Sequence, residues 1–98
     1  VVKMTQDVEN ETPVHTAILL YKARALVALG LYTAARDTLT TALRRRKDRP
    51  DELREALWYE RARVYEELGR AAQARKDLER IYASNPNYAN VAERLRIH

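Results

Sequence analysis

The 98-residue sequence has no cysteine and no phenylalanine, one serine, one tryptophan, two glycines and three prolines. Without cysteine there are no disulfides and no thiolate ligands, and the redox compartment leaves no mark. The histidines, His15 and His98, stand far apart, with no cysteine, second histidine or spaced carboxylates beside either. That pattern offers no metal centre, and no cofactor or metal is expected. Ser84 is the sole serine, so a nucleophile, base and orienting acid cannot be assembled, and the expectation is a non-enzyme. Glycine-rich phosphate loops are missing too. No apolar run nears the roughly 20 residues that span a bilayer, so no membrane insertion is expected in this segment.

What is present describes a small folded chain. Apolar residues make up 46% and charged residues 33%, a mixture that favours a globular domain over disorder. The net charge is +4, with arginine supplying 14 of the 18 cations. This mild excess lies within the ordinary range for a soluble surface. The chain starts at Val1 rather than methionine, and the expectation is a domain of a larger protein, with the cytoplasm as default compartment.

Hydrophobic spacing predicts helices throughout. Residues 1–12 are polar and without sustained period, and read as a tail or linker. Thr12-Pro13 then supplies an N-cap followed by proline at the first helical position. Val14, Ile18, Leu19, Ala25, Leu26 and Leu29 recur at three- and four-residue intervals up to Gly30. A second helical pattern carries Ala35, Leu39, Ala42 and Leu43. A third starts near Pro50 or Asp51, where Asp51 and Glu52 suit the positive end of the helix dipole, and runs to Gly69. A fourth uses Ala74, Leu78, Ile81 and Tyr82 and stops before Asn85-Pro86. A fifth is expected from about 87 to 97, with Tyr88, Val91, Ala92 and Leu95 apolar. No segment alternates as a strand would.

The two glycines explain each other. Leu29, Gly30, Ala35, Arg36 and Leu39 reappear at the same spacing as Leu68, Gly69, Ala74, Arg75 and Leu78. A helix pair joined by a tight turn and repeated at fixed spacing marks a helical repeat array. On these residues the chain resembles the tetratricopeptide repeat (TPR) family. The family's large and small positions fall on Trp58, Ala62, Tyr65, Ala74, Leu78 and Pro86 in one unit. In the other they fall on Leu19, Ala23, Leu26, Ala35, Leu39 and Ala42. The resemblance implies an all-α, right-handed superhelix of antiparallel hairpins: repeat one about 14–47, repeat two about 50–86, and a C-terminal capping helix. It also implies a protein-interaction scaffold.

Some positions depart from the family. Lys22 and Arg61 stand where leucine is usual, Ile81 replaces the late small residue, and Lys47 stands where a closing proline would be. The glycines lie 39 residues apart, against a repeat of about 34, and the added length is expected to extend helices two and three.

Two candidate sites follow. The family's groove-facing positions fall on Ala17, Leu20, Arg24 and Val27 in helix one, and on Ala56, Tyr59, Arg63 and Glu66 in helix three. Leu20 and Tyr59 would form an apolar rung, and Arg24 and Arg63 a cationic one, for a peptide with a hydrophobic side chain and a carboxylate. The competing reading packs Leu20 and Tyr59 locally and pairs the arginines with neighbours such as Glu60 or Glu67. The second site is the run Arg44, Arg45, Arg46, Lys47 and Arg49, which suits nucleic acid or another polyanion. The competing reading is a solvated set of cations at a helix C-terminus. Self-association through the uncapped first helix is a third possibility, giving a homo-oligomer.

Overall fold

The computed structural model describes residues 11–45 and 47–96. Five α-helices follow one another: α1 (Pro13–Ala28), α2 (Tyr32–Leu43), α3 (Asp51–Glu67), α4 (Ala71–Ser84) and α5 (Val91–Arg94). No strand occurs among the described residues. Each helix packs on the next: α1 on α2, α2 on α3, α3 on α4, and α5 on α4, with α1 also touching α3. The stack measures 44 × 30 × 17 Å, so its thinnest direction is less than two helix diameters of about 10 Å.

Local chemistry sets the helix ends. Thr12 is extended and its Oγ1 accepts a hydrogen bond from the His15 backbone N–H at 3.2 Å, while Pro13 takes the first helical position. Pro50 caps α3, whose first turn carries Asp51 and Glu52. The two glycine corners are the same motif. Gly30 has φ +77° and Gly69 has φ +74°. At the first, the Leu31 N–H donates to Leu26 O at 2.9 Å and the Gly30 N–H to Val27 O at 2.9 Å. At the second, the Arg70 N–H donates to Tyr65 O at 2.7 Å and the Gly69 N–H to Glu66 O at 3.1 Å. Both are Schellman closures, in which orphan carbonyls at a helix end are satisfied by two amides beyond it.

A β-carbon at Gly69 would meet no atom within 4 Å, so its cost there is conformational alone. Gly69→Ala is therefore expected to lower stability by about 1–2 kcal/mol, the penalty of a left-handed residue with a side chain. Gly69→Asn should lower it less, and chemical denaturation will rank the two.

The core runs through both hairpins. Ala23, Ala35, Leu39, Ala42, Ala62 and Ile81 are fully buried, with Leu57, Trp58, Val64, Ala74 and Leu78 around them. Small residues at the contacts let the helix axes approach, and the large ones fill what remains.

Two segments differ from the sequence reading. The extra residues between the hairpins do not lengthen α2, which ends at Leu43. They form a connection in which Asp48 has φ +61°. Arg49 is buried there, its Nε donating to Thr16 Oγ1 at 2.7 Å and its Nη1 to Lys47 O at 3.1 Å. The loop is held by this buried arginine rather than by helical turns. α5 is also one turn long instead of spanning 87–97. Asn85 Oδ1 accepts from the Asn87 N–H at 3.1 Å, an Asx turn that competes with helix, and Ala89 has φ +43°. Pro86 supplies no amide to a helical ladder. Of the residues 1–12 read as a tail, only Glu11 and Thr12 are described.

Candidate functional site

α1 and α3 run side by side as the first helices of their hairpins, and their equivalent residues meet on one face. Arg24 and Arg63 occupy matching positions, and both reach Glu60. Arg24 Nε lies 3.4 Å from Glu60 Oε1, and Arg63 Nη1 lies 3.7 Å from Glu60 Oε2. The glutamate is buried while both guanidiniums remain about half exposed. One buried carboxylate thus orients two cations from different helices, and each keeps N–H donors directed to solvent.

Beside Arg63 lies a hollow of about 180 Å³ lined by Val27, Tyr32, Arg63, Val64, Glu66 and Glu67. It sits where α1 ends, α2 begins and α3 completes its last turns. Its walls combine apolar Val27, Tyr32 and Val64 with one cation and two carboxylates. Three groove residues named from sequence, Val27, Arg63 and Glu66, line this space together. Glu67, named from sequence only as a pairing neighbour of Arg63, joins them, together with Tyr32 and Val64 from positions that sequence spacing did not single out.

The apolar rung is not open. Leu20 is only 5% exposed and belongs to the core. Tyr59 is half-buried beneath the C-terminal segment: its ring lies 5.6 Å from that of Tyr88, and its hydroxyl donates to Asn90 Oδ1 at 3.1 Å. Arg94 lies over the same ring at 5.7 Å and pairs with Glu66. Asn90 and Arg94, in the segment expected to be a capping helix, therefore hold Tyr59 and Glu66 in place. Ala17 and Ala56 are half-buried along the same two helices.

Burial disfavours charge on Arg94, but the hydrogen bond and charge of Glu66, aided by Tyr59, outweigh it and hold the proton more tightly than in free arginine. Burial also raises the Tyr88 phenol above its ordinary value. The negative fields of Glu55 and Glu60 and the neighbouring Tyr59 add to the rise, and Arg24 opposes it.

The basic run is divided. Arg44, Arg45 and Lys47 are exposed, Arg49 is turned into the interior, and Arg46 lies outside the described residues. The cations that remain at the surface flank the α2–α3 connection.

One polar cluster was missed from sequence. Asp77 is fully buried and takes two hydrogen bonds from Arg61, Nε to Oδ2 and Nη2 to Oδ1, each 2.7 Å long. Arg61 Nη1 also donates to Thr40 Oγ1 at 3.2 Å, which links α2, α3 and α4. Its guanidinium lies 5.6 Å from the Tyr65 ring centre. Burial opposes the Arg61 charge, but Asp77 outweighs it, through its hydrogen bonds and its charge, and holds the guanidinium protonated beyond its ordinary range. The available signal was the charge at Arg61, at a position where leucine is usual, with an aspartate on the facing helix.

Among the described residues, no helix is long and apolar enough to cross a membrane. The model of the tetratricopeptide repeat family matches residues 55–95, which cover most of α3, all of α4 and α5. No curated protein and no solved structure matches the chain.

Proposed function

We propose, from the tetratricopeptide repeat match over residues 55–95, that the chain is a protein-interaction scaffold and holds a peptide at the Arg63 hollow. A hydrophobic side chain would enter between Val27, Tyr32 and Val64, and a carboxylate would meet Arg63, with Arg24 behind it. The observation that carries this reading is the shared use of Glu60. It orients two half-exposed guanidiniums beside a partly apolar hollow, so ligand binding need not pay to order them. Leu20 and Tyr59 support this face from beneath and are not contacts in the proposal.

A random-peptide library panned against the chain will test it. Selected peptides should lose at least about tenfold in affinity with Arg63→Glu, because a hydrogen bond to a charged group contributes about 1.5–3 kcal/mol. Melting should fall only modestly, because the new carboxylate stands beside Glu60, Glu66 and Glu67, but Arg63 is exposed and Arg24 still pairs with Glu60. Selected peptides that bind Arg63→Glu as well as the parent chain would remove the hollow from the account. Binding that instead vanishes at moderate salt would transfer the role to Arg44, Arg45 and Lys47.

A further inference from the structure

Tyr32 is a wall that the Arg63 hollow shares with a second one. Around the α1–α2 corner lies an open hollow of about 500 Å³, lined by Gly30, Leu31, Tyr32, Thr33, Ala34 and Asp37. Leu31 and Tyr32 form its apolar side, and Leu31 is 50% exposed. No side chain caps α2, so the first amides of the helix remain donors at this corner.

Charge changes sign between the two ends of this joined space. Arg63 and Glu67 stand one turn apart on α3, about 6 Å along its axis, and Glu67 is the last residue of the helix. Arg63 pairs with Glu60, and Glu66 with Arg94, whereas Glu67 has no ion-pair partner among the described residues. Asp37 is exposed, and Arg36 engages only its Oδ1, through Nε at 3.1 Å and Nη2 at 3.0 Å. Its Oδ2 is left to accept from a ligand. The cations Arg63 and Arg24 thus stand at one end, and two carboxylates with spare acceptor capacity, Glu67 and Asp37, stand beyond them toward the corner.

We propose that the peptide held at the Arg63 hollow continues over Tyr32 into the corner hollow and is bipolar, an inference that rests on that hollow being the peptide site. An acidic residue meets Arg63, and an apolar one enters between Val27 and Val64. A lysine or arginine then meets Glu67 and Asp37, with a second apolar side chain against Leu31. The 6 Å offset corresponds to about two residues of extended chain at roughly 3.3 Å each, so the acidic and basic side chains lie at least two positions apart. The opposed charges also select against other ligands. An all-acidic peptide would be repelled at Glu67 and Asp37, and an all-basic one at Arg63 and Arg24. The free α2 amides suit a main-chain carbonyl of the same peptide better than a second acid, because Asp37 lines the same hollow.

Peptides selected by panning on the parent chain test this separately from the Arg63 hollow itself. They should carry an acidic residue and, two or more positions away, a basic one, with an apolar residue between. Asp37→Lys combined with Glu67→Lys should weaken them about tenfold, as attractive charged contacts turn repulsive. Replacing the basic residue of the peptide by glutamate should restore most of that loss. Both positions are exposed, so circular dichroism should show the double variant folded. Unchanged affinity in the double variant, with Arg63→Glu still weakening the peptide, would overturn the bipolar ligand and leave the Arg63 hollow in place. A loss that the glutamate peptide does not restore would also overturn it, since the carboxylates would then act on the fold rather than on the ligand. Peptides weakened by neither variant would remove the hollow and its extension together.

Discussion

Asp77→Ala is expected to destabilise the protein by about 3–5 kcal/mol, the cost of leaving one member of a buried ion pair without its partner. Asp77 has no exposed surface, and the Arg61 side chain is 11% exposed. Without the carboxylate, Arg61 keeps only the Thr40 hydroxyl and the Tyr65 ring among the contacts described above. Water reaches this guanidinium poorly, so desolvation is not recovered. A domain of this size is stable by only about 5–15 kcal/mol, so the loss removes a large share of the total. Arg61→Leu combined with Asp77→Ala should recover most of it, since no buried charge then stands alone. Urea unfolding followed by circular dichroism on the two single variants and the double variant gives the coupling. Strictly additive losses would show that the pair does not act as a unit.

Leu39→Ala should cost about 2–5 kcal/mol, through lost burial and the cavity left behind. Leu39 is fully buried on α2, which has α1 on one side and α3 on the other. Its counterpart Leu78 is buried on α4, where α3 covers one side but the other has only the single turn of α5 and Leu95 beyond it. A cavity collapses more easily where one wall is a single turn, so Leu78→Ala should cost less than Leu39→Ala. Leu29→Ala, at an exposed corner, should change stability by no more than about 0.5 kcal/mol. Equal losses at Leu39 and Leu78 would contradict the view that each hairpin is stabilised by its neighbours.

The corners were legible in the sequence because their requirement is local. A helix that turns back within three residues needs a left-handed position, and glycine fills it without penalty. The same is true of Thr12-Pro13 and of Asp51-Glu52, where side chain and helix end lie within one turn. The small residues Ala23, Ala35, Ala62 and Ala74 were legible through repetition, since the same spacing appears twice.

What failed to show depends on distant partners. Arg49 reads as part of a surface run until Thr16, 33 residues earlier, accepts its Nε–H. Leu20 reads as a groove residue because helical spacing gives its angular position, but not what packs against it. Tyr59 reads the same way, and its cover comes from Tyr88, Asn90 and Arg94, in a segment whose turns break the expected helix. The Arg63 hollow draws on three helices, so its lining could be named only in part from the spacing within one.

The account depends on one relation: α3 with α4 repeats α1 with α2 through two identical corners. Residual dipolar couplings of the backbone amides in these four helices, with scalar couplings at Gly30 and Gly69, measure it in solution. The account predicts a single interhelix geometry for both hairpins and positive φ at both glycines. Unlike geometries, or a helix continuing through either glycine with negative φ, would contradict it.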